Sequence, residues 1–210
     1  MVMIGGVGLD GIIFYFTAWG IWILSSFLID KKQRYRLGFS AWILLLIIFS
    51  GYYFSIDAVS VSFSAILVVL TVYSLLAKYK NKKLFYFLVC QLIGVLAYVS
   101  FHLFEMFDPV WVIMDREWML SVMMVLVSLI LMRKRFERVL LLASAGIHGE
   151  MVNGIIFHSF SFPYTIGSFV YLDVLAMAAL ILLLWNGVEY ITAYLGSYFN
   201  QLEKERGKPS

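Results

Sequence analysis

Seven nearly continuous apolar stretches, each close to the ~20 residues a helix needs to cross a bilayer's hydrocarbon, recur along almost the whole chain. They fall at about residues 11–29, 38–56, 58–77, 84–104, 118–132, 139–157 and 166–185. Barrel strands would alternate polar and apolar side chains over about ten positions, so uninterrupted runs specify helices. A soluble fold of this size would need polar helix faces. The 210 residues are 62% hydrophobic and 14% charged, which leaves too little polar surface for one. The expected fold is an all-α transmembrane bundle, occupying residues 1–200 as a single domain with residues 201–210 as a short disordered cytoplasmic tail.

The connections between these runs differ in charge, and Lys/Arg excess in short loops marks the cytoplasmic side of a membrane. All but one of the 16 Lys and Arg residues lie in four segments. Lys31, Lys32, Arg34 and Arg36 follow the first run. Lys78, Lys80, Lys82 and Lys83 follow the third, Arg133, Lys134, Arg135 and Arg138 the fifth, and Lys204, Arg206 and Lys208 sit in the tail. The intervening connections carry Asp57, then Glu105, Asp108, Asp115 and Glu117 around Arg116, then an uncharged stretch at 159–164. Strict alternation requires an odd number of spans, with the N-terminus outside and the C-terminus cytoplasmic. Residues 1–10 lack the basic start of a signal peptide, and the basic turn after the first run reads as a stop-transfer flank, so that span is retained.

Aromatic residues fit the same arrangement, with Tyr52, Tyr53, Trp111, Trp118 and Tyr164 at the outer interface and Tyr35, Tyr79, Tyr86 and Trp185 at the inner one. Beyond Trp185, Tyr190, Tyr194 and Tyr198 keep helical spacing, as though the last helix left the bilayer or lay along its inner surface. The net charge of +3 is spent on these insertion signals, which argues against nucleic acid as a partner. The loops are too short to house a catalytic domain.

Polar side chains inside a span are costly and mark places where chemistry or helix pairing occurs. The sixth run is unusual: Gly146, His148, Gly149, Glu150, Asn153 and Gly154 interrupt an otherwise apolar helix. Counting ~1.5 Å per residue places His148 and Glu150 near mid-membrane, and Asp173 of the seventh run at a similar depth. His148, Glu150, Asn153 and Asp173 are therefore the candidate intramembrane polar site. On a regular helix Glu150 and Asn153 lie about 60° apart, whereas His148 and Glu150 are about 160° apart and converge only if the glycines unwind the helix. The alternative use of Ala145 and Gly149 is a small-xxx-small surface for close helix packing.

A second, weaker constellation is His102, Glu105 and Asp108, whose spacing at the end of the fourth run suits a divalent metal as well as an ordinary acidic interface. His158 and Glu189 fall near opposite interfaces, the latter within reach of a basic loop. Cys90 lies within an apolar run and has no disulfide partner in the chain. No H-E-x-x-H, G-x-S-x-G or phosphate-binding glycine loop occurs, and no lysine in the last span is available to carry retinal. No cofactor is implied, and the sequence points away from an enzyme.

The Tyr15-Phe16-Thr17-Ala18-Trp19-Gly20-Ile21-Trp22 segment, the Lys31-Lys32-Gln33-Arg34 turn and the overall size and layout resemble the YphA-type family of small membrane proteins of Bacillus and its relatives. That resemblance implies a bacterial plasma membrane and supplies no catalytic residues. Few polar span residues and minimal loops lead to an expected non-enzymatic component, embedded in the lipid bilayer, that acts by helix–helix contact with another membrane protein. The competing expectation is a small transporter or solute-binding subunit using the polar residues of the sixth and seventh spans.

Overall fold

The computed structural model describes residues 10–28, 30, 33, 35–56, 59–108, 110 and 112–206, with side-chain surroundings described as far as residue 196 apart from Tyr35. Lys31, Lys32, Arg34, Asp57, Trp111, Lys208 and the chain's first nine residues, on which parts of the topology reading rest, lie outside the described residues.

Seven helices form among the described residues: α1 (Ile12–Phe27), α2 (Tyr35–Phe49), α3 (Phe63–Leu76), α4 (Asn81–Phe107), α5 (Arg116–Leu131), α6 (Arg135–Ser159) and α7 (Phe169–Arg206). By length and composition α4, α6 and residues 169–196 of α7 are long and apolar enough to cross a membrane, while α1, α3 and residues 36–49 of α2 are shorter apolar helices. Helix α7 runs unbroken through Arg206, so most of the segment read as a disordered tail is helical.

Two of the apolar runs are not helical throughout. Their facing ends form strands β1 (Tyr53–Ile56) and β2 (Val59–Ser62), an antiparallel pair in the register Tyr53 to Ser62 and Ile56 to Val59. Strand β3 (Tyr164–Ile166) adds in parallel to β2, giving a three-stranded sheet in the order β1-β2-β3. The local reason is an alternation of Ser55, Ser60 and Ser62 with aromatic and β-branched neighbours, a strand pattern that hydropathy averaging conceals. Ser62 then ends the strand and starts the helix, its Oγ accepting the Ala65 backbone N–H at 3.1 Å as the N-cap of α3.

The bundle is turned outward relative to a soluble protein. Phe16, Leu92, Leu96, Ile130 and Leu184 are exposed on helix faces, while Ser25, Ser64, Ser121, Ser128, Ser144, Glu150, Asn153 and Asp173 are buried. Lipid accepts the apolar faces, and the interior polar groups bind helices to one another. Ser25 and Ser40 join α1 to α2 at 2.9 Å. The Trp42 indole N–H donates to Thr71 at 2.8 Å between α2 and α3, and Ser121 donates to the Val174 carbonyl at 3.1 Å between α5 and α7. The larger core cluster spans from Phe14 of α1 to Ala176 of α7, and a smaller one joins Val125, Leu142, Ala178 and Leu182.

The two ends of the bundle have distinct chemistry. One carries the sheet, the end of α4 and the start of α5. At the other, Lys83 pairs with Glu137 at 2.7 Å. There the buried Arg138 reaches the Met132 carbonyl, Asn186 and Glu189, the last at 2.9 Å. Glu189 is thus paired with a basic segment, as its position suggested.

Candidate functional site

Helix α6 stays regular through its glycines, so His148 and Glu150 leave it on different sides. His148 faces α3. Its Nδ1 lies 2.8 Å from the Ser144 carbonyl, which can only accept, so Nδ1 carries the proton and Nε2 accepts the Tyr73 hydroxyl at 2.8 Å. This tautomer ties α6 to α3 and leaves His148 outside any shared pocket.

Glu150 faces the opposite way, toward α4 and β3. Its Oε1 accepts the Tyr98 hydroxyl at 2.6 Å and the Tyr164 hydroxyl at 2.8 Å, while Oε2 accepts the Gly167 backbone N–H at 3.0 Å. Two glycines make this possible. At Gly149 any Cβ would collide with the Tyr98 side chain, so its absence lets Tyr98 pack directly against α6, where its hydroxyl meets Glu150. At Gly167 φ is +73°, and a Cβ would fall 2.5 Å from the Ala65 Cβ, so only glycine turns its N–H toward Glu150 there. The glycines of the sixth run serve close packing here, not unwinding.

Asn153 is fully buried beside the Tyr164 hydroxyl, and neither polar atom of its side chain has a partner in hydrogen-bonding geometry among the described residues. Asp173 is buried as well but turned toward α1, where it accepts the backbone N–H groups of Gly11 at 2.5 Å and Phe14 at 2.6 Å. Of the four residues singled out in the sixth and seventh spans, the structure therefore groups Glu150 and Asn153 around Tyr164 and places His148 and Asp173 elsewhere. Direction could not be read from residue counts, because it is set by which neighbour each helix face meets.

A cavity of about 340 Å³ opens beside Glu150 among α4, α5, α6, β3 and α7. Glu150, Tyr98 and Tyr171 form its deep part, each 2% exposed, and Glu105 and Arg116 its rim, where they pair at 3.5 Å. The Tyr171 ring packs against Gly146 of α6, and its hydroxyl is buried and unpartnered among the described residues. Phe157 stacks on Tyr164 with ring centroids 5.1 Å apart and planes 6° from parallel. Burial, then the Glu150 charge, pushes the Tyr164 phenol far above its ordinary pKa, so it remains a hydrogen-bond donor.

His102 and Glu105 line this same cavity, joining two constellations that the sequence kept apart. His102 Nδ1 donates to the Tyr98 carbonyl at 3.1 Å, and its ring lies over Tyr98. Asp108 instead ends α4, its Oδ1 accepting the Val110 backbone N–H at 3.2 Å. Among the described residues no three His, Cys, Asp or Glu side chains gather as a metal site.

Sequence reasoning missed Tyr98, Tyr171, Arg116 and the role of Tyr164. A signal was present: Tyr98 and Tyr171 sit inside apolar runs, away from the interfaces where tyrosine serves as an anchor, and a buried phenol needs a polar partner.

These features define a helical integral membrane protein with a polar cavity at one end of its bundle. The sequence matches the YphA-like integral membrane protein family over residues 10–208, and the chain belongs to that family. Among curated proteins it is similar to the uncharacterized protein YphA of Bacillus subtilis (strain 168), with 29% identity over 202 residues that cover 94% of this chain and 98% of the relative. No solved structure matches it. The family resemblance drawn from the first span and its basic turn is thereby confirmed.

Proposed function

We propose that the chain is a multi-pass protein of the cell membrane, with seven spans, an outside N-terminus and a cytoplasmic C-terminus, that binds a small solute in the cavity beside Glu150. The observation that carries the binding reading is the cavity itself: the buried Glu150 carboxyl lines a space of about 340 Å³ that opens between Glu105 and Arg116. That volume lies near the lower bound of roughly 300–1000 Å³ typical of ligand pockets, which fits a small molecule. The positive-inside rule puts the Lys83 and Arg138 end in the cytoplasm, so the cavity faces outward.

The test is thermal unfolding of the full chain in lipid nanodiscs against a panel of small amines, carboxylates, sugars and neutral alcohols. At least one class is expected to raise the melting temperature in a concentration-dependent way, and Glu150→Gln to weaken the effect. A panel that leaves the transition unmoved throughout would overturn the reading.

A second reading, contact with another membrane protein, is favoured by α7. Past the bundle it exposes Val188, Ile191 and Leu195, following Leu184 at the alternating four- and three-residue spacing of a coiled-coil seam. Cysteines placed one at a time along residues 187–196 should cross-link to a partner with that period, and equal yields at every position would count against it.

A further inference from the structure

We propose that the cavity takes a small organic cation, an amine or quaternary ammonium solute whose charge is held by Glu150; this rests on the solute-binding reading above and adds the ligand's class. Three observations converge on it.

The first is the hydrogen bonding of Glu150. The Tyr98 and Tyr164 hydroxyls meet its Oε1 and the Gly167 N–H meets Oε2. Several hydrogen-bonding groups converging on one carboxyl favour its charged form. With about two acceptor positions on each oxygen, Oε1 is filled and Oε2 keeps one open.

The second is the balance of charge. Among the lining residues the acids are Glu150 and Glu105, and the one permanent cation is Arg116, which is engaged with Glu105 at the rim. The deep part of the cavity thus holds a buried negative charge with no ion-pair partner from this chain's lining residues. A charge in a low-dielectric site gains most from a counter-ion that arrives with the ligand.

The third is the wall. Tyr98, Tyr164, Tyr171 and Phe157 line the cavity, and aromatic side chains accept the methyl or methylene groups of an organic cation and attract its charge where a face is open. An anionic solute would meet the Glu150 carboxyl instead.

The test uses the full chain in nanodiscs, with choline and tetramethylammonium as probes, the uncharged carbon isostere of choline as the matched control, and acetate as the anion. Calorimetric titration should show the ammonium probes binding at least tenfold more tightly than the carbon isostere, with no acetate binding. Glu150→Gln should weaken ammonium binding at least tenfold. Should that variant fail to give a monodisperse folded sample, maleimide labelling of a cysteine at Ser168, which lines the cavity, provides the second measurement: both ammonium probes should slow it and the isostere should not. Equal binding of the isostere, or failure of both ammonium probes while another class in the solute panel binds, would overturn the cation assignment and leave solute binding standing. Silence from every class would remove both.

Discussion

Asp173 on α7 holds the first turn of α1 by accepting the Phe14 backbone N–H at 2.6 Å, together with that of Gly11. A helix begins with four N–H groups that have no partner inside it, and its dipole places partial positive charge at that end. A carboxylate from another helix satisfies both needs at once. Asp173 is therefore a fastener between α1 and α7, whereas from sequence it stood among the candidates for solute chemistry.

Replacing Asp173 by Ala should leave those N–H groups unpaired in a buried setting and cost about 1–3 kcal/mol. Asn keeps one acceptor oxygen and loses the charge, so Asp173→Asn should cost less than Ala does. SDS-induced unfolding of the purified variants checks the order, and hydrogen exchange should localise the loosening to the first turn of α1. If Asp173→Ala unfolds like the parent chain while solute binding disappears, the fastening role is wrong.

Much of the helical layout was legible because continuous apolar runs and clustered basic residues leave few alternatives. The losses came where hydropathy is blind. Phe54, Ile56, Val59 and Val61 look like the ends of two spans until Ser55, Ser60 and Ser62 are seen as the other half of a strand alternation. The candidate site was half legible for a related reason: formal charge drew the eye to Glu150, His102 and Glu105, and passed over Tyr98 and Tyr171. Asp173 and His148 could not be assigned from their own helices, since the partners that absorb them come from α1 and α3.

The approach of Tyr98 to α6 makes a sharp packing prediction. Gly149 has no room for a Cβ, and the atoms in the way belong to the part of the Tyr98 ring nearest its backbone, which cannot swing aside like a flexible chain end. Gly149→Ala should therefore destabilise by about 1–3 kcal/mol, the usual range for an overpacked core. It should also shift the Tyr98 hydroxyl off Glu150 and weaken solute binding. Thermal melts of Gly149→Ala beside Gly187→Ala supply the contrast, because a Cβ at Gly187 meets nothing within 4 Å. Equal losses at the two positions would contradict the packing.

At the basic end, Arg138 is nearly buried and bonds Glu189, which is about a third exposed. Arg138→Ala also strips the Met132 carbonyl and Asn186 of their donor, so it should cost more than Glu189→Ala. Partial exposure of Glu189 limits the pairwise coupling to roughly 1 kcal/mol. A double-mutant cycle measures that coupling directly, and a value near zero would mean that Arg138 acts through the backbone carbonyl and Asn186 alone.

Topology gives the most direct test of which way the cavity faces. With the buried Cys90 replaced by Ser, single cysteines at Asp108, Lys80 and Arg135 can be challenged in intact cells with a membrane-impermeant maleimide. Labelling is expected at 108 and not at 80 or 135 until the cells are opened. Positive-inside insertion requires this order, because the Lys78 to Lys83 and Arg133 to Arg138 segments are the ones held back on the cytoplasmic side. The same reagent should reach a cysteine at Ser168, which lines the cavity, only from outside, and pre-incubation with choline should slow that reaction if the solute occupies the space between Glu150 and Tyr171. Labelling at 80 and 135 in intact cells would invert the protein, turn the cavity toward the cytoplasm, and redirect the search for its solute to intracellular amines.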